Sequence, residues 1–322
     1  MWSEELQGAR LFTGTRPHAV WSSRLEDLES AFLRGLDCGH FSYLARVHSE
    51  QLSGPEHEVQ RAAVALRVSY GVALETLMAF LSAIAQAPEC VSAWLTLYRG
   101  NELADVVRAL LGKANVPISP SPGKSWKALS AFAFPDAEDR ERHRFSSGWS
   151  RMAEEFLDER KRSEFNAGKH GMRVRPGGNT FGVYAENGPS KVYERTSKFG
   201  SSFLIGRGVT ARTGRTTIDK AMETVSLNWD PLALVEGLHI VSASVTAIVS
   251  SLLVRRGLDP LPPVALSADA FAKARDWTPN FHLANSLDLD SGTTRDIVDD
   301  AYGLEPGASR AMEEANKTAS GG

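Results

Sequence analysis

The chain has 322 residues, 42% hydrophobic and 23% charged, a composition ordinary for a soluble globular protein with room for one large or two ordinary domains. Its two cysteines, Cys38 and Cys90, exclude a disulfide framework and form no CxxC pair. The net charge of −3 conceals an asymmetry: residues 160–220 carry 13 Lys and Arg against 4 Asp and Glu, while 1–159 and 221–322 sum to −5 and −7. A basic segment between acidic flanks is either an anion-facing surface or a patch that the protein's own acids neutralise.

The N-terminus, MWSEELQGARLF, lacks a basic start followed by an apolar core, so no signal peptide is expected. Ser23 and Glu26 have capping-box spacing ahead of Leu25, Leu28, Phe32 and Leu36, which recur at helical intervals. Ser53 and Glu56 repeat the device and open one long helix over 54–87 that ends before Pro88. Shorter helices are predicted at 91–98 and 102–111, and a Pro/Ser-rich loop at 114–135. A charged helix then runs from Asp136 to about His170, with Phe145, Trp149, Met152 and Phe156 turned inward at three-to-four spacing. Gly168, Gly171 and Pro176 end it.

MRVRP, TFGVYAE, KVYERT and SSFLIGRGV read as short strands separated by the turns GGN, NGPS and KFG. Asp230 and Pro231 form an N-cap and first helical position that launch a second apolar helix, ending at Arg255 and Arg256. A short helix is expected at 268–276 and disorder in the tail from Gly307. The apolar run 240–254 is shorter than the roughly 20 residues a membrane span needs, and Glu75 interrupts the other, so both read as core helices of a cytoplasmic protein with no membrane partner. The expected fold is mainly α, a helical bundle around two long apolar helices with a small antiparallel β-rich insertion. Its parts are an N-terminal helical region (1–113), the loop (114–135), the charged helix (136–172), the basic β-rich insertion (173–229), a C-terminal helical part (230–306) and the tail (307–322).

The stretch RSEFNAGKHG carries the candidate chemistry. On a helix Arg162, Asn166 and His170 fall at i, i+4 and i+8, one stripe with Lys169 beside it. Histidine titrates near neutrality and can move a proton to or from a ribose hydroxyl. Arg and Lys can neutralise the charge that builds on phosphate oxygens, and Asn can orient either partner. The run FNAGKH resembles the motif of the HEPN superfamily, helical-bundle proteins whose ribonuclease members carry Arg, a polar residue often Asn, three variable residues and His on one helix. Asn166 and His170 match at that spacing, Phe165 stands at the Arg position, and Arg162 or Lys169 is the substitute cation. The resemblance implies RNA binding, a metal-independent endoribonuclease centred on His170, and a homodimer. Cations before a terminal glycine are also ordinary helix punctuation, which leaves a purely structural reading open.

Glu75, alone among apolar residues, is expected to orient His170, pair with Arg162 or meet another cation, with Arg67 the second charge of interest on that helix. Arg173, Arg175, Lys191, Arg195 and Lys198 alternate with Tyr184, Tyr193, Phe199 and Phe203, a mixture suited to single-stranded RNA, and Arg207, Arg212 and Arg215 add a basic Gly-rich loop. Alternating aromatic and basic residues also describe a half-buried strand. Asp37, Cys38, His40 and His48 lie close together but lack the matching second cluster of a zinc site. No GxSxG, HExxH or phosphate-cradling loop is found, and neither a metal nor a cofactor is expected. The alternative function is a non-catalytic interaction protein whose segment 160–220 docks on an acidic partner or on the chain's own acids at 288–305.

Overall fold

The structure is a computed structural model that describes residues 12–13, 15–17, 25–170, 173–178, 180–184, 191–209, 219–267, 269–274 and 285–287. At residues 12, 13, 16, 17, 25, 180–184, 191–196, 206–209, 219–223 and 285–287 only the backbone is described. In chain order the elements are β1 (Phe12–Thr13), β2 (Arg16–Pro17), α1 (Leu25–Gly35), α2 (His40–Gln51), α3 (Glu56–Gln86), α4 (Val91–Leu97), α5 (Gly100–Leu110), α6 (Trp126–Ala133), α7 (Asp139–Leu157) and α8 (Glu159–Lys169). Then follow β3 (Val174–Pro176), β4 (Thr180–Tyr184), β5 (Lys191–Thr196), β6 (Gly200–Val209), β7 (Asp219–Asn228), α9 (Pro231–Val254), α10 (Ala270–Lys273) and β8 (Asn285–Leu287). The fold is mainly α with a small antiparallel β part, as the hydrophobic periodicity implies. Residues 1–201 with 227–281 form one compact unit and residues 202–226 with 282–322 a second; all described helices belong to the first.

Two apolar helices organise the first unit. Val59, Ala62, Ala63, Leu66, Tyr70, Ala73, Leu74 and Leu77 bury one face of α3 at three-to-four spacing, and Phe80 to Gln86 are buried all round. At α9, Asp230 accepts a hydrogen bond from the Leu232 amide at 2.9 Å with Pro231 at the first position, so the helix starts where its sequence signal places it. α3 and α9 pack against each other, and α2 packs on both. Both are long and apolar enough to cross a membrane by length and composition, and most of the apolar stretch of each is buried inside the protein. The close approach of α3 and α9 depends on Gly237: a Cβ there would lie 2.5 Å from the Tyr70 ring. Glu29 of α1, fully buried, accepts from the Ser92 amide at 3.0 Å and caps the start of α4 from another helix.

Several boundaries differ from their sequence expectation. The N-cap of α3 is Pro55, which has no polar side chain to cap with; its carbonyl takes the Glu58 and Val59 amides, and Ser53 stands two residues too early. Residues 114–135 are not all loop: Ser125 accepts from the Ala128 amide at 3.1 Å and starts α6. The charged helix is two helices. At Asp158 the backbone leaves the helical region, and its carboxylate accepts from the Arg160 and Lys161 amides, capping α8 afresh. Ser23 and Arg24, the loop 210–218 and the tail from 288 lie outside the described residues.

The predicted hairpin is present: β4 and β5 are antiparallel from Thr180↔Thr196 to Tyr184↔Lys191, with an irregularity at Val183/Tyr184. The remaining strands after α8 are β3, β6, β7 and β8. Within the first unit, the Gly177 and Gly178 amides donate to the Gly200 and Lys198 carbonyls, each at 3.1 Å. In the second unit β7 and β8 pair antiparallel through Met222↔Leu287.

Candidate functional site

The new helix start at Asp158 sets the rotation of α8, and with it which charges point inward. Glu164 and Ala167 are buried, Arg162 and Phe165 are half-buried, and Arg160, Asn166, Lys169 and His170 face solvent. His170 is the C-cap residue, its amide donating to the Asn166 carbonyl at 3.0 Å, and the chain returns to the helix through the Arg173 amide and the Ala167 carbonyl at 2.9 Å. Phe165 lies against Gly71 of α3, where a Cβ would sit 2.3 Å from the ring. The Phe165 ring thus serves the α3–α8 contact, and the Lys169 ammonium stands 5.2 Å from its centroid.

Beneath α8 lies a buried charge network that periodicity alone does not reveal. Glu164, 3% exposed, takes the Arg67 guanidinium at 2.8 and 2.7 Å on one oxygen, and the Trp229 indole N–H at 2.9 Å and the Ser201 hydroxyl on the other. Glu155 accepts from the Tyr70 hydroxyl at 3.1 Å and ion-pairs with Lys161 at 3.2 Å and Arg67 at 3.6 Å. Two carboxylates and two cations balance, which lets the charges remain buried. Burial opposes the Arg67 charge, but Glu164 and Glu155 outweigh it and raise the guanidinium's pKa. Burial, helped by the Glu155 carboxylate, pushes the Tyr70 phenol well above its ordinary value. Arg67 is conspicuous in the sequence; Glu164 is concealed inside a basic run, and Trp229 and Ser201 carry no local signal.

A recess of about 280 Å³ opens above this network between α3, α5 and α8. Arg162 and Asn166 line it with Glu75, Phe165 and, from α5, Gly100 and Asn101. His170 and Lys169 stand beyond it at the helix end, so the structure brings together two of the four stripe residues at the recess and two at the cap. Glu75 pairs with Lys169 at 3.2 Å, both half-exposed, rather than with Arg162 or His170. Among the described residues, Arg160, Arg162, Arg173 and Arg175 meet no carboxylate within ion-pair distance. Arg160, Arg173 and Arg175 are exposed. Lys198 is exposed too, but it is held by Glu56 at 2.8 Å. The side chains of Lys191, Arg195 and Arg207, and all of Arg212 and Arg215, lie outside the described residues.

A larger cavity of about 820 Å³, bounded by α6, α7, α9 and residues 260–267, is mainly apolar and contains none of the sequence-predicted site residues. Among the described residues no group of three or more His, Cys, Asp or Glu could hold a metal ion. Cys38 and Cys90 are buried free thiols, and burial pushes each up to about 11. Compared with protein-family models, with curated proteins and with solved structures, the chain has no match in any of the three.

Proposed function

We propose that this chain is a HEPN-like, single-stranded RNA-binding protein of the cytoplasm that engages phosphates through the cationic end of α8 and the start of β3. The observation that carries the reading is the division of cations within one segment. Lys161, Lys169 and Lys198 are held by the protein's own carboxylates, whereas Arg160, Arg162, Arg173 and Arg175 have no acidic partner among the described residues. Guanidiniums left free at a surface suit phosphate oxygens, which they meet in a planar fork.

His170 is the candidate proton-transfer group of a metal-independent endoribonuclease. It is exposed, and Asn166 is one turn away on the same side of α8. His170 would take the proton of a ribose 2′-hydroxyl as that oxygen attacks the neighbouring phosphorus and displaces the 5′-oxygen, which takes a proton from water, with Arg173 offsetting the phosphorane charge. A homodimer would bring two such helix ends to one strand. The competing reading keeps the surface and changes the occupant: an acidic protein segment, favoured by the way Glu56 and Glu75 already neutralise part of this region.

Single-stranded RNA incubated with purified protein in chelator separates these. Cleavage by the wild type, lost by at least 100-fold in His170→Ala with RNA affinity kept, supports the nuclease. Binding without cleavage leaves an RNA-binding protein. No RNA binding at low salt removes the RNA reading and leaves the acidic partner.

A further inference from the structure

The cavity between α6, α7, α9 and residues 260–267 takes no residue from α8 and has no part in the RNA reading. Its volume, about 820 Å³, falls in the upper part of the range for small-molecule sites. Ala243, Thr246, Ala247, Ser250, Ser251 and Val254 recur at helical spacing and make its floor. That stripe runs about 18 Å along α9 as far as Arg255, at roughly 1.5 Å per residue. Phe134, Phe145 and Phe271 supply aromatic wall, and Leu261, Val264 and Leu266 line the space from the covering segment.

The space is held open by its own walls. The covering segment reads PLPPVALS, whose prolines fix φ and hold each preceding residue extended, so it cannot coil into the groove. The Leu261 amide donates to the Ser250 hydroxyl at 2.9 Å, which fixes that segment on α9. Phe271 is seated on Gly148 of α7, where a Cβ would lie 2.5 Å from its ring, and stands edge-on to Phe145. The hydroxyls of the floor offer little to water. Thr246 donates to the Ser242 carbonyl at 2.8 Å and Ser251 to the Phe132 carbonyl at 2.6 Å, while Ser250 takes the Leu261 amide. Water in such a space lacks the polar partners that hold it, and an apolar occupant gains by displacing it.

A cation stands at one end. Arg255, the C-cap residue of α9, lies over the Phe132 ring with 4.0 Å between guanidinium carbon and centroid. The ring covers one side of the guanidinium and leaves its N–H donors unused. Arg255 meets no carboxylate and its side chain no hydrogen-bond acceptor among the described residues. Arg144 also lines the cavity, 5.4 Å from the Phe271 centroid. Asp136 and Glu141 border it too, exposed around the start of α7, where water and the positive end of that helix screen them.

We propose that this cavity binds a fatty carboxylate, its hydrocarbon chain along the α9 floor and its head group on the Arg255 guanidinium. A single-chain amphipath matches an elongated apolar space with a cation at one end, and a carboxylate meets a guanidinium in a planar, paired geometry. Burial of methylenes supplies the affinity; the head group selects the anionic amphipath over neutral and cationic ones. The site is independent of the RNA reading, and either can stand without the other.

Titration calorimetry of the full chain with dodecanoate, dodecanol and dodecyltrimethylammonium, each below its micelle-forming concentration, is the test. Dodecanoate should bind about ten-fold tighter than dodecanol, the lower end for a hydrogen bond to a charged group, and the ammonium should bind weakest. Arg255→Gln should remove that preference and keep the affinity for dodecanol. Ala247→Trp, which fills the floor, should abolish binding of all three. Val254→Trp blocks the same space from an exposed lining position and decides the matter if the first variant does not fold. The proposal is overturned if dodecanoate does not bind the wild type, binds no tighter than dodecanol, keeps its preference in Arg255→Gln, or binds a folded tryptophan variant unchanged.

Discussion

Glu164 and Phe165 are adjacent in sequence and do opposite work. Phe165 fills the space that Gly71 leaves on α3. Glu164 faces inward and holds Arg67, Ser201 and Trp229 on its two oxygens, all within the first unit. A carboxylate that is 3% exposed and fully partnered contributes little beyond its own desolvation while intact, but its loss leaves a buried guanidinium short of its counter-charge. Glu164→Gln keeps the shape and removes the charge, and should cost about 3 kcal/mol, the lower end for breaking a buried pair because Glu155 remains 3.6 Å from Arg67. Urea unfolding followed by circular dichroism measures it, as a lower midpoint with unchanged slope. A loss below about 1 kcal/mol would show that the network is not the anchor of α8.

At the scale of elements, α8 is placed by three features: the cap at Asp158, the Glu164–Arg67 pair, and the seat of Phe165 on Gly71. The third predicts that Gly71→Ala is destabilising although alanine is the better helix former by roughly 1 kcal/mol. The added methyl would meet the Phe165 ring at 2.3 Å, so overpacking of about 1–3 kcal/mol should outweigh the propensity gain and show as a lowered melting temperature. A raised melting temperature would mean that Phe165 moves aside freely. The long helices were legible because burial imposes a period: the apolar positions of α3, and the Asp230–Pro231 start of α9, identify them without any tertiary knowledge. The break at Asp158 was not, since an aspartate among charged residues fits a solvated helix face as well as a cap. The recess was half legible. Arg162 and Asn166 share its edge because helical spacing put them on one stripe, but Asn101 and Glu155 join them only through the packing of α5 and α7 around α3.

For the whole molecule, the net charge of −3 is less informative than where the uncompensated charge lies. Sequence counting locates the basic segment; it cannot separate cations spent internally from those left for a partner, because that depends on acids such as Glu56, Glu75, Glu155 and Glu164 reaching them in space. On the proposed reading, the arginines around the end of α8 that meet no carboxylate among the described residues are the part left for a polyanion. Binding of such a ligand releases counterions, so affinity should fall with salt in proportion to the phosphates neutralised. The most direct measurement is the salt dependence of single-stranded RNA affinity for the wild type and for Arg173→Ala with Arg175→Ala. The prediction is a clearly negative slope of log affinity against log salt, made shallower by about 1.4 in the double variant, since each phosphate contact on a single strand contributes about 0.7. A wild-type affinity indifferent to salt, or a slope that the double variant leaves unchanged, would contradict the claim that these arginines form the RNA-facing surface.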